Sequence, residues 1–391
     1  MSGRQPHLMI VIHSLRGGGA ERVAADLAAY WQGRGCRVTV VTQTTDAEDA
    51  YALPEGVRRH ALGLDAHGGG GPRAAWGNWR RLRALRRLIR DERPGVVLGM
   101  MTKASILSVL AARRLPCRVI ATEHTHPPVQ RLPEAWQRLR RWAYPRADAV
   151  IALTRGTARW LDEALPGVRA QVIPNAVRWP LGNGEPVVEP PARQGRHRLL
   201  AAGRLHPVKG FDILIAAFAR IAPLFPDWDL VILGEGAQRG ELQRAVDEAG
   251  LAARVSMPGR VGNMTQWYES SDLYVLSSRT EGLSNTLLEA MACGLPCVAF
   301  DCDTGPREII RDGIDGVLVR PDGDPEALAA WLSELMAHPE ERRRYASRAV
   351  DVRDRFGVPR VMAMWELVFQ GRSVGVPGGV QGGVSSGADG S

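Results

Sequence analysis

Glu281 and Glu289, with seven residues between them, bracket the run Gly282-Leu283-Ser284-Asn285-Thr286-Leu287-Leu288. The apolar stretch ahead of them reads as a strand over 273–276. A helix is expected to start near Ser284, and another strand covers 296–300. In open α/β folds ligands bind at such turns, outside the carboxyl ends of the strands, and a helix N-terminus favours an anion such as a diphosphate. Glu281 precedes the helix and Glu289 falls in its second turn. One carboxylate can therefore face the reacting end of a ligand while the other reaches a second part of it. A glycosidase would also use paired carboxylates, one as acid and one as nucleophile.

Arg204 and Lys209 follow the strand expected over 198–202, where another helix begins. A guanidinium offers a fork of donors and an ammonium a compact charge, so both can converge on a diphosphate, although taken alone the pair reads equally as surface charges. Fixed cations of this kind stabilise a departing nucleoside diphosphate most in the transition state. A hydrolase of plain glycosides has no diphosphate to hold, so this pair argues against a glycosidase. Gly17-Gly18-Gly19, between the first strand and first helix, lets a bound group approach the backbone closely. It is not a dinucleotide fingerprint: Arg22 stands where G-x-G-x-x-G needs its last glycine, and the second strand ends Val41-Thr42-Gln43, with no acid for a ribose hydroxyl. His124, in Glu123-His124-Thr125-His126-Pro127, sits at the end of a strand over 119–122 and can face a cleft; His126 is its rival. Glu308 either complements the N-terminus of the helix opened by Pro306 or contacts a donor.

The segment 281–296 resembles the signature of the retaining nucleotide-sugar glycosyltransferases of family 4. Gly203-Arg204-Leu205 with Lys209-Gly210, Leu233-Gly234-Glu235-Gly236, and Ile173-Pro174-Asn175-Ala176-Val177 resemble further family motifs in the right order over roughly residues 8–370. The resemblance implies the GT-B fold: two Rossmann-like α/β domains, each a doubly wound parallel sheet, facing across a cleft. It carries Arg204 and Lys209 over as diphosphate ligands, Glu289 as the ribose ligand and Glu281 as the group beside the transferred sugar, with Gly282, Leu283 and Ser284 lining the donor. His124 is carried over as the first domain's contribution. Gly17, Gly18 and Gly19 line the acceptor side, and Arg260 and Val261 belong to the loop that holds the base. Retention, by front-side attack without a protein nucleophile, is implied in the same way. So is independence of metal: no cofactor is expected beyond the nucleotide sugar, which is the substrate.

The positioning elements alternate. Strands over 8–13, 37–42, 96–98, 119–122, 150–153 and 171–173 are interleaved with helices in the first half. The pattern restarts with strands over 198–202, 229–233, 255–257, 273–276, 297–300 and 317–319, followed by helices over 325–337, 339–355 and 358–369. The expected division is a first domain over 1–178, a Pro- and Gly-rich linker over 179–197 and a second domain over 198–357. A helix over 358–370 is expected to cross back, and a disordered tail to cover 371–391. Gly68 to Gly71 reads as a flexible loop.

At 391 residues two cores are expected, and no apolar run nears the roughly 20 residues that span a bilayer. A cytoplasmic location follows, with the five cysteines reduced and in no metal-binding spacing. Residues 1–180 hold 28 Lys+Arg against 14 Asp+Glu, a net of +14, whereas residues 181–391 hold 22 against 28, a net of −6. An anionic partner therefore belongs to the first half. No nucleic-acid module is present. The arginine- and tryptophan-bearing helices at 76–90 and 136–144 fit peripheral binding to the anionic inner face of a membrane, beside a lipid-diphosphate or glycan acceptor. UDP-linked hexoses or N-acetylhexosamines head the donor list, with GDP-mannose next. Two other readings stay open: the same fold acting on a soluble sugar acceptor, and a non-catalytic nucleotide-sugar-binding subunit.

Overall fold

Strands that are apolar on both faces need helices on both sides, and short Val, Ile, Leu and Ala runs recur through each half of this chain. In the computed structural model, which describes residues 6–45, 49, 51–64 and 72–374, they build two parallel sheets. The first half contains β1 (His7–Ile12), α1 (Gly19–Gly33), β2 (Arg37–Thr42), β3 (Arg58–Ala61), α2 (Pro72–Glu92), β4 (Val96–Gly99), α3 (Thr102–Ala112), β5 (Arg118–Glu123), α4 (Glu134–Ala143), β6 (Ala149–Ala152), α5 (Arg155–Ala164) and β7 (Ala170–Val172). The second contains β8 (His197–Ala202), α6 (Phe211–Ile221), β9 (Trp228–Leu233), α7 (Arg239–Glu248), β10 (Val255–Gly259), α8 (Met264–Glu269), β11 (Leu273–Leu276), α9 (Asn285–Ala292), β12 (Cys297–Phe300), α10 (Pro306–Ile309) and β13 (Val317–Val319). Four helices close the chain: α11 (Pro325–Ala337), α12 (Pro339–Ala349), α13 (Val352–Arg355) and α14 (Val358–Phe369).

Strand order is β3-β2-β1-β4-β5-β6-β7 in the first sheet and β10-β9-β8-β11-β12-β13 in the second. The order reverses between β1 and β4 and again between β8 and β11. Ligand crevices open at the carboxyl ends of strands flanking such reversals. These two doubly wound domains form the GT-B fold.

Leu8, Ile10 and Ile12 of β1 pack against Leu27 and Trp31 of α1, and the same cluster takes in Val361, Met362, Trp365 and Val368 of α14. Those four positions share one helical face, so α14 is held to the first domain by its apolar stripe. The two chain crossings between domains lie side by side: the Val177 N–H donates to the Phe356 carbonyl at 2.8 Å. Residues 179–196 form no helix or strand. Of the expected tail, residues 371–374 follow α14 and the Val374 N–H donates to Gln171 Oε1 at 2.7 Å; the rest lies outside the described residues, as does the glycine run 68–71.

The basic helices divide their arginines. On α2, Leu85 and Ile89 are buried while Arg80, Arg83, Arg87 and Arg90 are exposed with Trp76 and Trp79, whose rings stack at 4.7 Å. On α4, Arg138 and Arg141 are exposed, but Arg140 is buried, 3.7 Å from Glu123 and over the Trp160 ring. Arg140 is thus removed from the basic surface that the sequence suggested.

Candidate active site

The β8 and β11 loops meet at the mouth of the second sheet. Gly210 adopts a left-handed φ of 63°, and a Cβ there would collide with the Ser277 carbonyl oxygen, so only glycine lets the loops close up. That approach places Lys209 Nζ 2.6 Å from Glu281 Oε1, and Ser278 Oγ donates to the same oxygen at 2.6 Å. Thr304 Oγ1 donates to the Glu281 carbonyl at 2.6 Å and fixes its backbone. The Glu281 side chain is only 8% exposed, so its charge is compensated locally rather than by water. Lysine has three donors, which leaves two for an anion. Among the described residues Glu281 Oε2 accepts no hydrogen bond, so it can take one from a ligand hydroxyl. Arg204, after β8 at the same end of the sheet, is exposed. The sequence has Arg204 and Lys209 converging on a diphosphate; here Lys209 is turned to Glu281.

Ser284 caps α9, its Oγ accepting from the Leu287 N–H at 3.4 Å, and Leu283 anchors the loop in the core beneath. Gly282 packs against the first domain: a Cβ there would collide with the His124 carbonyl oxygen. One helical turn on, Glu289 is buried. Its Oε2 accepts from the Tyr268 hydroxyl at 3.1 Å, and its Oε1 pairs with the Arg22 guanidinium of α1, across the cleft. Burial, with the Glu289 charge adding to it, pushes the Tyr268 hydroxyl well above its usual range. The Glu289 carboxylate raises the Arg22 pKa. In the loop after β10, Val261 is half-buried, Arg260 is exposed, and Gly262 donates to the Pro186 carbonyl at 2.6 Å.

From the first domain, Gly17 (φ 108°) turns the chain and Gly18 is the N-cap of α1. A Cβ on Gly19 would lie 3.3 Å from Asn285 Nδ2. Asn285 Oδ1 in turn accepts from Asn175 Nδ2 at 2.8 Å, so the loop after β7 also touches the start of α9. His124 binds Thr122 Oγ1 through Nε2 at 3.0 Å, while its Nδ1 is buried without a partner. Burial lowers its pKa to about 4, so the ring is neutral at physiological pH. His126 is buried instead against Thr157 Oγ1, at 3.1 Å. Glu123, beneath His124, accepts from Tyr144 at 2.6 Å and Thr102 at 2.7 Å; burial raises its pKa. Glu308 lies in the first turn of α10 and also accepts the Arg155 N–H at 2.7 Å, so it complements the N-terminus of α5 in the other domain as well.

The expected site residues thus follow the carboxyl ends of β1, β5, β8, β10 and β11, and Gly19, His124, Gly282 and Glu289 make contacts between the two domains. Sequence reasoning missed Arg22, Ser278, Tyr268 and Asn285. Arg22 had been visible only as the residue that breaks a glycine fingerprint.

Comparison with known proteins bears on the family and the fold. The glycosyltransferase family 4 model matches residues 17–178, and the model for glycosyl transferases group 1 matches residues 188–351. Over 272 residues the chain is 30% identical to phosphatidyl-myo-inositol mannosyltransferase of Mycolicibacterium smegmatis, covering 68% of each protein. The chain belongs to glycosyltransferase family 4. This family 4 enzyme is also 26% identical over 365 residues to an amylovoran biosynthesis glycosyltransferase of Erwinia amylovora, covering 93% of this chain and 99% of that one. It is 35% identical over 273 residues to an exopolysaccharide phosphotransferase of Streptomyces coelicolor, covering 69% of this chain but only 28% of that longer protein. Among solved structures, sucrose-phosphate synthase of Thermosynechococcus elongatus superposes with a TM-score of 0.80 at 20% identity over 94% of this chain and 99% of that one. HepE of Anabaena in complex with UDP does so at 0.77 and 19%, over 94% and 100%.

Proposed function

We propose that this glycosyltransferase moves a hexose or N-acetylhexosamine, with retention, from a UDP-sugar to a lipid-linked or polysaccharide acceptor in bacterial surface-glycan biosynthesis. The observation that carries the reading is the Lys209–Glu281–Ser278 cluster at the mouth of the second sheet, in the loop just ahead of α9, the helix that carries Glu289. In this reading Arg204 and Lys209 hold the diphosphate, Glu289 the ribose and Glu281 a sugar hydroxyl. The carbon–oxygen bond from the sugar to the diphosphate breaks as an acceptor hydroxyl oxygen bonds to that carbon. The acceptor proton leaves with the diphosphate, whose growing charge falls on fixed protein cations. Neutral His124 enters from the first domain as a hydrogen-bonding group, not as a charge.

Uracil as the base, and glycan or lipid-linked acceptors, are drawn from the relatives' names and the UDP complex of HepE. No divalent ion is required in this reading, because Arg204 and Lys209 supply the positive charge. Membrane attachment is the second part of the proposal. Among the described residues no helix is long and apolar enough to cross a membrane. The exposed stripe Trp76, Trp79, Arg80, Arg83, Arg87 and Arg90 of α2 joins amphipathic aromatics to cations, each cation being worth about 1 kcal/mol at an anionic surface. The test of function is release of UDP from a panel of UDP-sugars, with and without polyprenyl-diphosphate sugar acceptors. Acceptor-stimulated turnover with one donor supports the reading; turnover only with a free sugar would move the enzyme to a soluble acceptor.

A further inference from the structure

Both Glu289 oxygens are engaged, Oε2 by Tyr268 and Oε1 by Arg22, and the side chain is only 6% exposed, so Arg22 covers the approach to the carboxylate. The two partners differ in their freedom to leave. Tyr268 is fully buried in the same domain, and its hydroxyl is also within reach of the Thr286 carbonyl at 3.2 Å, so it stays. Arg22 reaches in from the first domain, and its side chain is 36% exposed against 6% for Glu289. It also has somewhere to go. Asp26 lies one turn further along α1, where arginine and carboxylate at i and i+4 are neighbours; it already contributes to the electrostatics of Arg22, and although its Oδ1 pairs with Arg178 at 2.9 Å, a carboxylate can accept a second guanidinium.

We propose that Arg22 is an affinity-setting residue of the donor site, its guanidinium standing in for the ribose hydroxyls at Glu289 until a nucleotide displaces it. The inference rests on the reading of Glu289 as the ribose ligand. A guanidinium–carboxylate bond is stronger than a neutral hydroxyl's bond to the same carboxylate, so the nucleotide must win on the sum of its contacts, with the diphosphate at Arg204 and Lys209 providing the surplus. The displaced bond spans the cleft, so donor binding also removes one tie between the domains. The Asn175–Asn285 and Glu308–Arg155 contacts remain. A free nucleoside has no diphosphate to offset the lost ion pair and is expected to bind much more weakly than its diphosphate.

The experiment is a calorimetric titration of UDP, GDP and ADP into the full chain without metal, for the wild type, Arg22→Gln, Arg22→Lys, Glu289→Gln and the Arg22→Gln/Glu289→Gln double variant. Unfolding midpoints confirm that each variant is folded. Arg22→Gln is expected to bind the preferred nucleotide about tenfold more tightly, the loss of one charge-assisted competitor. Arg22→Lys should fall between it and the wild type. In the Glu289→Gln background the gain should vanish, because the competitor's site is gone. Unchanged or weaker binding by Arg22→Gln, with Glu289→Gln weakened as expected, would overturn the proposal and make Arg22 either inert or a ligand of the nucleotide. Binding by the double variant as tight as that of Arg22→Gln, where no ion pair is left to break, would instead remove the ribose reading on which the proposal stands.

Discussion

Gly282→Ala isolates the approach of the two domains. Gly282 does not occupy the left-handed region, so alanine is compatible with its own backbone. The obstacle is external. A Cβ there would collide with the His124 carbonyl oxygen and lie 3.1 Å from the carbon of that carbonyl and 3.7 Å from the Thr125 Cα, all backbone atoms of the first domain. Overpacking of this kind costs about 1–3 kcal/mol. If transfer requires this approach of the domains, kcat/KM should fall roughly 5- to 150-fold, at about 1.4 kcal/mol per factor of ten. The added methyl points at the first domain, and Arg204, Lys209, Glu281 and Glu289 are unchanged, so nucleotide affinity should hold within a few-fold, and the second core should unfold at an unchanged temperature. Gly240→Ala, where a Cβ meets nothing within 4 Å, serves as the control. Steady-state kinetics with a calorimetric nucleotide titration gives both readouts. Full turnover by Gly282→Ala would refute the claim that the site is completed by contact between these two loops.

Four further outcomes are expected. Glu281→Ala should nearly abolish transfer while leaving nucleotide affinity within a few-fold; undiminished turnover would take Glu281 out of the mechanism. Dialysis against EDTA should leave the rate unchanged, and restoration of a lost rate by magnesium or manganese would contradict a protein-only set of cations. His124 has a pKa lowered to about 4 by burial, against 6.5 unfolded. Its contribution to stability is therefore complete above pH 6.5 and is lost as pH falls toward 4, by at most about 3 kcal/mol. Denaturant unfolding at pH 7 and 4.5 should show a smaller acid loss for His124→Gln than for the wild type; parallel losses would exclude the buried-histidine account. Anionic vesicles should retain the wild type at low salt and lose it at high salt, with retention reduced in Trp76→Ala/Trp79→Ala; equal retention would free α2 of that role.

The sheet strands were legible because parallel strands are apolar on both faces, and the βα turns because glycines, cations and carboxylates interrupt those runs. β3 was not. Arg58-Arg59-His60-Ala61 has no apolar alternation and forms an edge whose backbone pairs with β2 on one side only. The break between α12 and α13, at residues 350–351, also left no trace, since neither proline nor glycine marks it. Within the site, the charged residues could be read one domain at a time, from local spacing. Their partners could not. Arg22 lies 267 positions from Glu289 and Asn175 lies 110 from Asn285, so those contacts exist only once both domains are folded and facing. Glu308 shows the same limit: local logic offers its own helix, and the fold adds the N-terminus of a helix in the other domain.

The central claim is a nucleotide-sugar site at the β8 and β11 loops. It is tested most directly by thermal unfolding of the wild type with UDP, GDP, ADP and the common nucleotide sugars, without added metal. A ligand that binds the folded state raises the midpoint by mass action. The account expects a clear rise with one base family, UDP first, and a smaller rise in Lys209→Ala. Cooperative unfolding with no rise for any of these ligands would contradict it.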